Sequence, residues 1–269
     1  MGDPSLDSVA GSRRRFQLDR ITRIRLVTIV LILVAYEVVA QSGLFFEDVV
    51  PSSLAVFAAL IRTLADPGFY PHLGRTALQV LIGFPLGVLL GLATGIIFGM
   101  SRTLAAIFNP WVQYLAPTPK IVFFPILLLL FGVDMGSKVA MATISAFFPT
   151  AIATYAGMLH IPPIYLKVAG TLNATRLQMV RIVYVPSLVA PILTSLRLAL
   201  GVAIVGTLLA EIKMSNLGLG YLVIQHYNFL QMPEMYAALL LTFAIAVGAN
   251  AGMEWLTDRI EHDRHVDRD

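Results

Sequence analysis

The chain contains no cysteine, which excludes disulfides and thiolate metal sites outright. Charge is scarce too: 13% of its 269 residues are Asp, Glu, Lys or Arg against 57% apolar, and mean hydropathy is +0.79. That is more continuous hydrophobic surface than a soluble domain of this size can bury, so the chain reads as an all-α, polytopic membrane protein. No G-x-x-x-x-G-K-[ST] phosphate cradle, G-x-S-x-G elbow or H-E-x-x-H helix occurs, which removes self-powered nucleotide hydrolysis and the common serine and zinc hydrolase signatures. His226 stands alone, and His262 and His265 have no convergent partners, so no metal ligand and no catalytic residue is nominated. An intramembrane enzyme would need distant residues such as Ser145 and His160, which differ in depth along their span.

Uncharged runs long enough to cross about 30 Å of hydrocarbon lie at residues 77–98, 139–158 and 236–253. Three further runs carry complications: 26–40 holds Glu37, 109–131 holds Lys120 and four prolines, and 186–210 holds Arg197. Six spans put both termini on one side. Arg13, Arg14, Arg15, Arg20, Arg23, Arg25, Arg102, Lys167, Arg176, Arg181, Arg259, Arg264 and Arg268 fall on that side, and only Arg62, Arg75, Lys138 and Lys213 on the other. The positive-inside rule therefore places the termini and the polar segment 161–186 in the cytoplasm. The basic pI of about 9.3 follows from topology and anionic headgroups, and nucleic-acid binding is not needed to explain it.

Along the chain, residues 1–23 read as a mobile cytoplasmic tail and 24–40 as the first span. The basic stretch and apolar run imitate a signal peptide, but no clear A-x-A site follows, so the span is expected to be retained. Residues 41–71 form an external segment in which Pro51-Ser52-Ser53 opens an interfacial helix with the stripe Leu54, Phe57, Ile61 and Leu64. Gly83, Gly87, Gly91, Gly95 and Gly99 recur every four residues, a smooth ridge for close helix packing, either a static contact or part of a moving interface. In the third span Pro117-Thr118-Pro119-Lys120 and Pro125 break regular helix, which is tolerated at membrane depth only against protein or a wet cavity. Lys120 there can attract an anion, pair with Glu37 or Glu211, or snorkel to headgroups; Arg197 reads as a buried or snorkelling cation. Pro119, Lys120, Pro125, Arg197 and Glu211 are the candidate pathway residues.

The segment 161–186 carries Ala169-Gly170-Thr171-Leu172-Asn173 and then Val183-Tyr184-Val185-Pro186. This spacing resembles the cytoplasmic loop of binding-protein-dependent ABC importer permeases, whose pattern is E-A-A-x3-G-x9-I-x-L-P. Ala169 and Pro186 match; Lys167 and Val168 stand at the Glu-Ala positions, Asn173 at the glycine, and Val183 and Val185 at Ile and Leu. Asparagine tolerates the left-handed turn that the glycine serves, and Thr175-Arg176-Leu177-Gln178 has the form of a capping box that starts a second helix. The proline-serine entry to the external helix, the run Ser195 to Gly201, Ala210-Glu211 and Gly218-Leu219-Gly220-Tyr221 also resemble the nitrate, sulfonate, taurine and bicarbonate subgroup of those permeases.

The resemblance implies a type I ABC importer permease fold over residues 72–256, with spans near 77–99, 109–132, 138–158, 187–211 and 236–256, a coupling loop at 161–186, and a cytoplasmic tail at 257–269. It implies that Lys167, Val168, Ala169, Gly170, Thr171, Leu172, Asn173, Ala174, Thr175, Arg176, Gln178 and Pro186 contact a separate ATPase. It further implies a second permease copy, two cytoplasmic ATPase subunits that bind ATP and Mg, and an external binding protein delivering a small anion. This chain itself would be no enzyme and would bind no cofactor; it would sit among lipid in a bacterial inner membrane. The rivals are a secondary transporter using Glu37, Lys120 and Arg197, and a structural scaffold.

Orientation is testable directly, because the chain is free of cysteine. A Thr171→Cys variant is expected to react with an impermeant thiol reagent only from the cytoplasmic side. Labelling from outside in intact cells overturns the topology.

Overall fold

The computed structural model describes residues 4–43 and 49–266, with side chains from residue 22 onward except those of residues 102, 108, 176 and 261–266. Helix α1 is Pro4–Gln41, so regular structure begins within the stretch expected to be an irregular tail. Its membrane-length part, Thr22–Gln41, has no buried residue in its most apolar window. It is tied to the rest by a few polar contacts near its C-terminal end. Glu37 Oε2 accepts from Ser53 N (3.0 Å) and Ser53 Oγ (2.6 Å), and Tyr36 Oη donates to Pro51 O (2.7 Å). A carboxylate at this place satisfies free N–H groups and meets the positive end of the next helix. That helix, α2 (Ser53–Ala65), is capped by Ser52 Oγ, which accepts from Ala55 N. The Arg62–Glu234 ion pair (2.9 Å) joins it to the last helix.

The centre of the structure is a sandwich of three long helices: α3 (Phe69–Met100), α6 (Met135–Leu159) and α9 (Val185–Lys213). The five-glycine ridge of α3 lies on α6. A methyl group at Gly83 would stand 2.5 Å from Ala142 Cβ and 2.6 Å from Val139 O, and one at Gly91 would stand 2.8 Å from Phe147 O. Gly87, Gly95 and Gly99 meet Thr143 and Ala146, Thr154 and Ala151, and Met158 in the same way. Thr143 Oγ1 donates across the contact to Gly83 O (3.1 Å). Ala142 and Ala146, which the α3 glycines touch, also pack with Ala199 and Ala203 of α9 in the cleft where the three helices meet, and Gly157 leaves room for Leu188 and Pro191. Small residues at both contacts let backbones approach, which is how helices gain van der Waals contact where lipid is as apolar as leucine.

Between α3 and α6 the chain forms α4 (Arg102–Leu115), a break, a 3-10 turn at Lys120–Phe123 and α5 (Phe124–Phe131). Asn109–Leu115 and Lys120–Phe131 are bent by 99° relative to one another, so the expected third span is a broken pair. Pro117 and Pro119 lie in the break, where they cannot donate a helical bond. Pro125 has the opposite role to the one expected of it: it sits in the first turn of α5, where a missing N–H costs nothing, and it starts a helix. Among the described residues five helices are long and apolar enough to cross a membrane, and six if the bent pair counts as one span.

At the end where α3 begins, α10 (Leu219–Asn228) and α11 (Met232–Val266) close over it through Phe69, Leu219, Leu222, Ala238 and Leu241. The contrast between packed and free glycines gives a prediction. Gly83→Leu drives a branched side chain into a backbone carbonyl and is expected to cost more than the roughly 1–3 kcal/mol of ordinary overpacking, whereas Gly248→Leu on α11, with nothing within 4 Å, is expected to be tolerated. Membrane yield and thermal stability of the purified variants check this; equal loss in both would mean that the α3–α6 contact is not what the glycines serve.

Candidate functional site

The polar segment 161–186 is a helical hairpin built by three local devices. Helix α7 (Pro163–Thr171) begins with a proline in its first turn and ends in a left-handed residue, Asn173 at φ 51°. Asn173 N donates to Gly170 O (3.1 Å) and Ala174 N to Ala169 O (3.0 Å), the bond pair of a Schellman stop. Thr175 then caps the next turn: Gln178 N donates to Thr175 Oγ1 (3.3 Å) and Thr175 N to Gln178 Oε1 (2.8 Å), a reciprocal capping box. The helix so started is only α8, Arg176–Gln178, and it passes into a π-helical segment at Met179–Tyr184 that runs straight into α9. Pro186 has no N–H to give Ile182 O, and a widened register just before it accommodates that loss. Pro186 therefore belongs to the first turn of α9 and does not end the hairpin.

Exposure sorts the hairpin residues. Ala169 is 8% exposed, so it faces into the chain rather than outward, contrary to its expected place against a partner. Leu172 is 75% exposed, Leu177 62% and Val168 50%. Lys167, Gly170, Thr171 and Gln178 are exposed as well, and Ala174 partly; the side chain of Arg176 lies outside the described residues. An apolar knob of Leu172, Val168 and Leu177 projecting from a polar hairpin is what a docking surface requires. Leu177 was not among the expected contact residues, although an unpaired leucine in a short capped turn is a visible signal.

A groove runs along α6 and α9 as two cavities that share Pro149, Ala153 and Leu198. One, of about 710 Å³, opens beside the broken span and is walled by Pro119, Lys120, Ser145, Phe148 and Val202 among others. The other, of about 650 Å³, reaches His160, Pro162 and Ser187 near the hairpin. Pro149 lies inside α6 and Pro191 inside α9, leaving the carbonyls of Ser145 and Ser187 without intrahelical donors. Those prolines were the sequence signal for the groove, and only the third span's prolines were used. Lys120 Nζ donates to Ala116 O, freed at the break, and lies 5.4 Å from the centre of the Phe148 ring. It pairs with neither Glu37 nor Glu211.

Arg197, Glu211 and Pro125 do not wall these two cavities. Arg197 is turned toward α11, where it donates to Thr257 Oγ1 (2.8 Å), Glu254 Oε1 (3.3 Å) and Asp258 Oδ1. Glu211 is fully buried near the C-terminal end of α9. It accepts from Thr76 Oγ1 (2.8 Å) and Gly220 N (2.8 Å), and Thr76 Oγ1 in turn accepts from Leu219 N (2.8 Å). Gly218, at φ 131°, passes so close to the carboxylate that no side chain fits. Both residues hold helices together; Glu211, fully buried, is thereby corrected to a structural place, while Arg197 lines a smaller cavity of about 310 Å³ that shares Leu198 and Val202 with the groove wall. Lys138, also fully buried, donates to Val133 O, and Arg75 pairs with Asp134. Among the described residues no cluster of His, Asp and Glu is arranged to hold a metal ion.

With this geometry in hand, the chain's relatives are informative. Residues 83–265 match the family described as binding-protein-dependent transport system inner membrane component. An ABC transporter permease protein of Haemophilus influenzae is 31% identical over 87% of this chain and 95% of its own length. The taurine transport system permease protein TauC of Escherichia coli is 26% identical over 91% of each. An aliphatic sulfonates transport permease protein, SsuC of Bacillus subtilis, is 28% identical over 80% of this chain and 78% of its own length. Among solved structures, a chain of the inward-facing MetNI methionine ABC transporter superposes with a TM-score of 0.56 at 19% identity, covering 77% of this chain and 97% of its own, which establishes likeness of fold. The chain is a membrane permease of the binding-protein-dependent transport system inner membrane component family.

Proposed function

We propose that this chain forms half of the translocation pathway of an ATP-driven importer, with a second copy supplying the other half. Separate cytoplasmic ATPase subunits bind ATP and Mg, and an external binding protein delivers the solute. The observation that carries the reading is the hairpin: a doubly capped, cytoplasmic-end element with an exposed apolar knob, joined without interruption to α9 of the groove wall. ATP-driven closure of the ATPases would push on Leu172 and be transmitted as a rigid-body movement of α7 to α9. Both termini lie in the cytoplasm of a bacterial inner membrane on this reading, consistent with the basic-residue asymmetry.

The solute is a small anion of the sulfonate or taurine type. This rests on what the relatives TauC and SsuC are named for and on a cation as the sole charged residue in the groove wall among the described residues. The secondary-transporter alternative loses its support, because Glu37 and Arg197 are each held by local partners. A proton or ion relay needs such groups to be available.

Substitutions in the hairpin separate docking from folding. Leu172→Glu is expected to abolish co-purification of the ATPase while the permease keeps its membrane yield. Ala169→Glu is expected to damage the hairpin itself, lowering both. Thr175→Ala loses a cap worth about 1 kcal/mol and is expected to weaken association mildly, and Asn173→Gly, which suits φ 51°, is expected to be neutral. If Leu172→Glu assembles and transports like the parent, the docking assignment is wrong.

A further inference from the structure

We infer that Lys120 is the anion contact of the translocation groove, taking the charged head of a solute whose short apolar body lies against Phe148, Pro149 and Leu198. The inference rests on the importer reading and adds a place and a chemistry to it. Four observations support it. Among the described residues, Lys120 is the only charged residue on either cavity wall, and no carboxylate accompanies it. Its ammonium is held by one carbonyl and one ring face, Ala116 O and Phe148, which leaves its charge uncompensated. Arg75 and Arg197 are paired with carboxylates, and Lys138 is fully buried on Val133 O and lines neither cavity.

The fourth observation is the backbone around it. A lysine beside a helix broken by 99° is tolerated within a membrane only where water or protein reaches it, and this one lies on the wall of a cavity shared with α6 and α9. On such a wall a full positive charge decides the sign of the solute. Ser145, 3% exposed, lines the same cavity opposite Gly206 of α9, whose missing side chain leaves space for its hydroxyl. The wall beyond these groups is apolar: Ile121, Ile152, Val202 and Leu209. One anionic head on a small apolar body suits a wall with one cation and otherwise hydrocarbon.

Binding to the full chain in lipid nanodiscs tests this without the binding protein. The probes are butanesulfonate and its neutral isostere butanesulfonamide, titrated calorimetrically. The parent is expected to bind the sulfonate saturably and in preference to the sulfonamide. Lys120→Met is expected to weaken the sulfonate at least about ten-fold, the scale of one charge-assisted contact, without changing the sulfonamide. Lys120→Arg is expected to return sulfonate binding to within about three-fold of the parent, which excludes misfolding as the cause. Equal sulfonate affinity in parent and Lys120→Met overturns the inference, as does absence of saturable binding in the parent or loss in Lys120→Arg as complete as in Lys120→Met. Failure of the importer reading is seen separately, as a parent chain that purifies without any ATPase.

Discussion

Where α3 crosses α6, two backbones come as close as helices can, and most of the molecule is arranged around that crossing. A hydrocarbon solvent gives no hydrophobic reward for bringing two apolar helices together, so the attraction must come from surface contact at short range. Five glycines at a spacing of four supply it on α3, with Ala142, Thr143, Ala146 and Ala151 opposite. The same helix α6 offers Ala142, Ala146 and Gly157 to α9. A helix gripped by two neighbours through backbone contact cannot turn independently. The groove along α6 and α9 therefore has one rigid wall, and what lines it is fixed by register.

Burying charges in such a structure is expensive unless each finds a partner, and the partners explain why the ionisable groups have different roles. Glu37 caps the entry to α2, Glu211 holds Thr76 and the backbone of Gly220, and Arg197 bridges α9 to Thr257 and Glu254. Each joins segments distant in sequence, so each specifies an assembly of helices. Lys120 is held only by groups without charge.

The fold was largely legible from hydropathy and the glycine spacing, because a membrane forces continuous apolar runs into helices and leaves little alternative. The hairpin's stop at Asn173 and its restart at Thr175 were legible for the same local reason: caps are decided by a few neighbouring residues. What sequence could not resolve was direction. Arg197 and Leu198 are adjacent in the chain, yet one faces α11 and the other the groove, and only the packing of α9 on α6 fixes which is which. Glu211 was misplaced because its partners, Thr76 and Gly220, reach it from another helix and from beyond a turn. Ala169 matched its motif but faces inward; a motif match marks that a residue type is needed and says nothing of which surface needs it.

The link between hairpin and groove is a matter of chain continuity. From Arg176 the helix runs through the π-segment into α9 and on to Lys213 with no intervening loop. Leu198, Val202 and Gly206 on that helix wall the groove. On the proposed reading, force applied at Leu172 crosses one Schellman turn and one capping box, both closed by hydrogen bonds, before it enters α9. The π-segment is the weakest register along that route, since its carbonyls are bonded at a wider spacing. For the hairpin and α9 to move as one body, the bonds of this segment must hold under that force, so the coupling depends on Met179–Tyr184 as much as on the two caps.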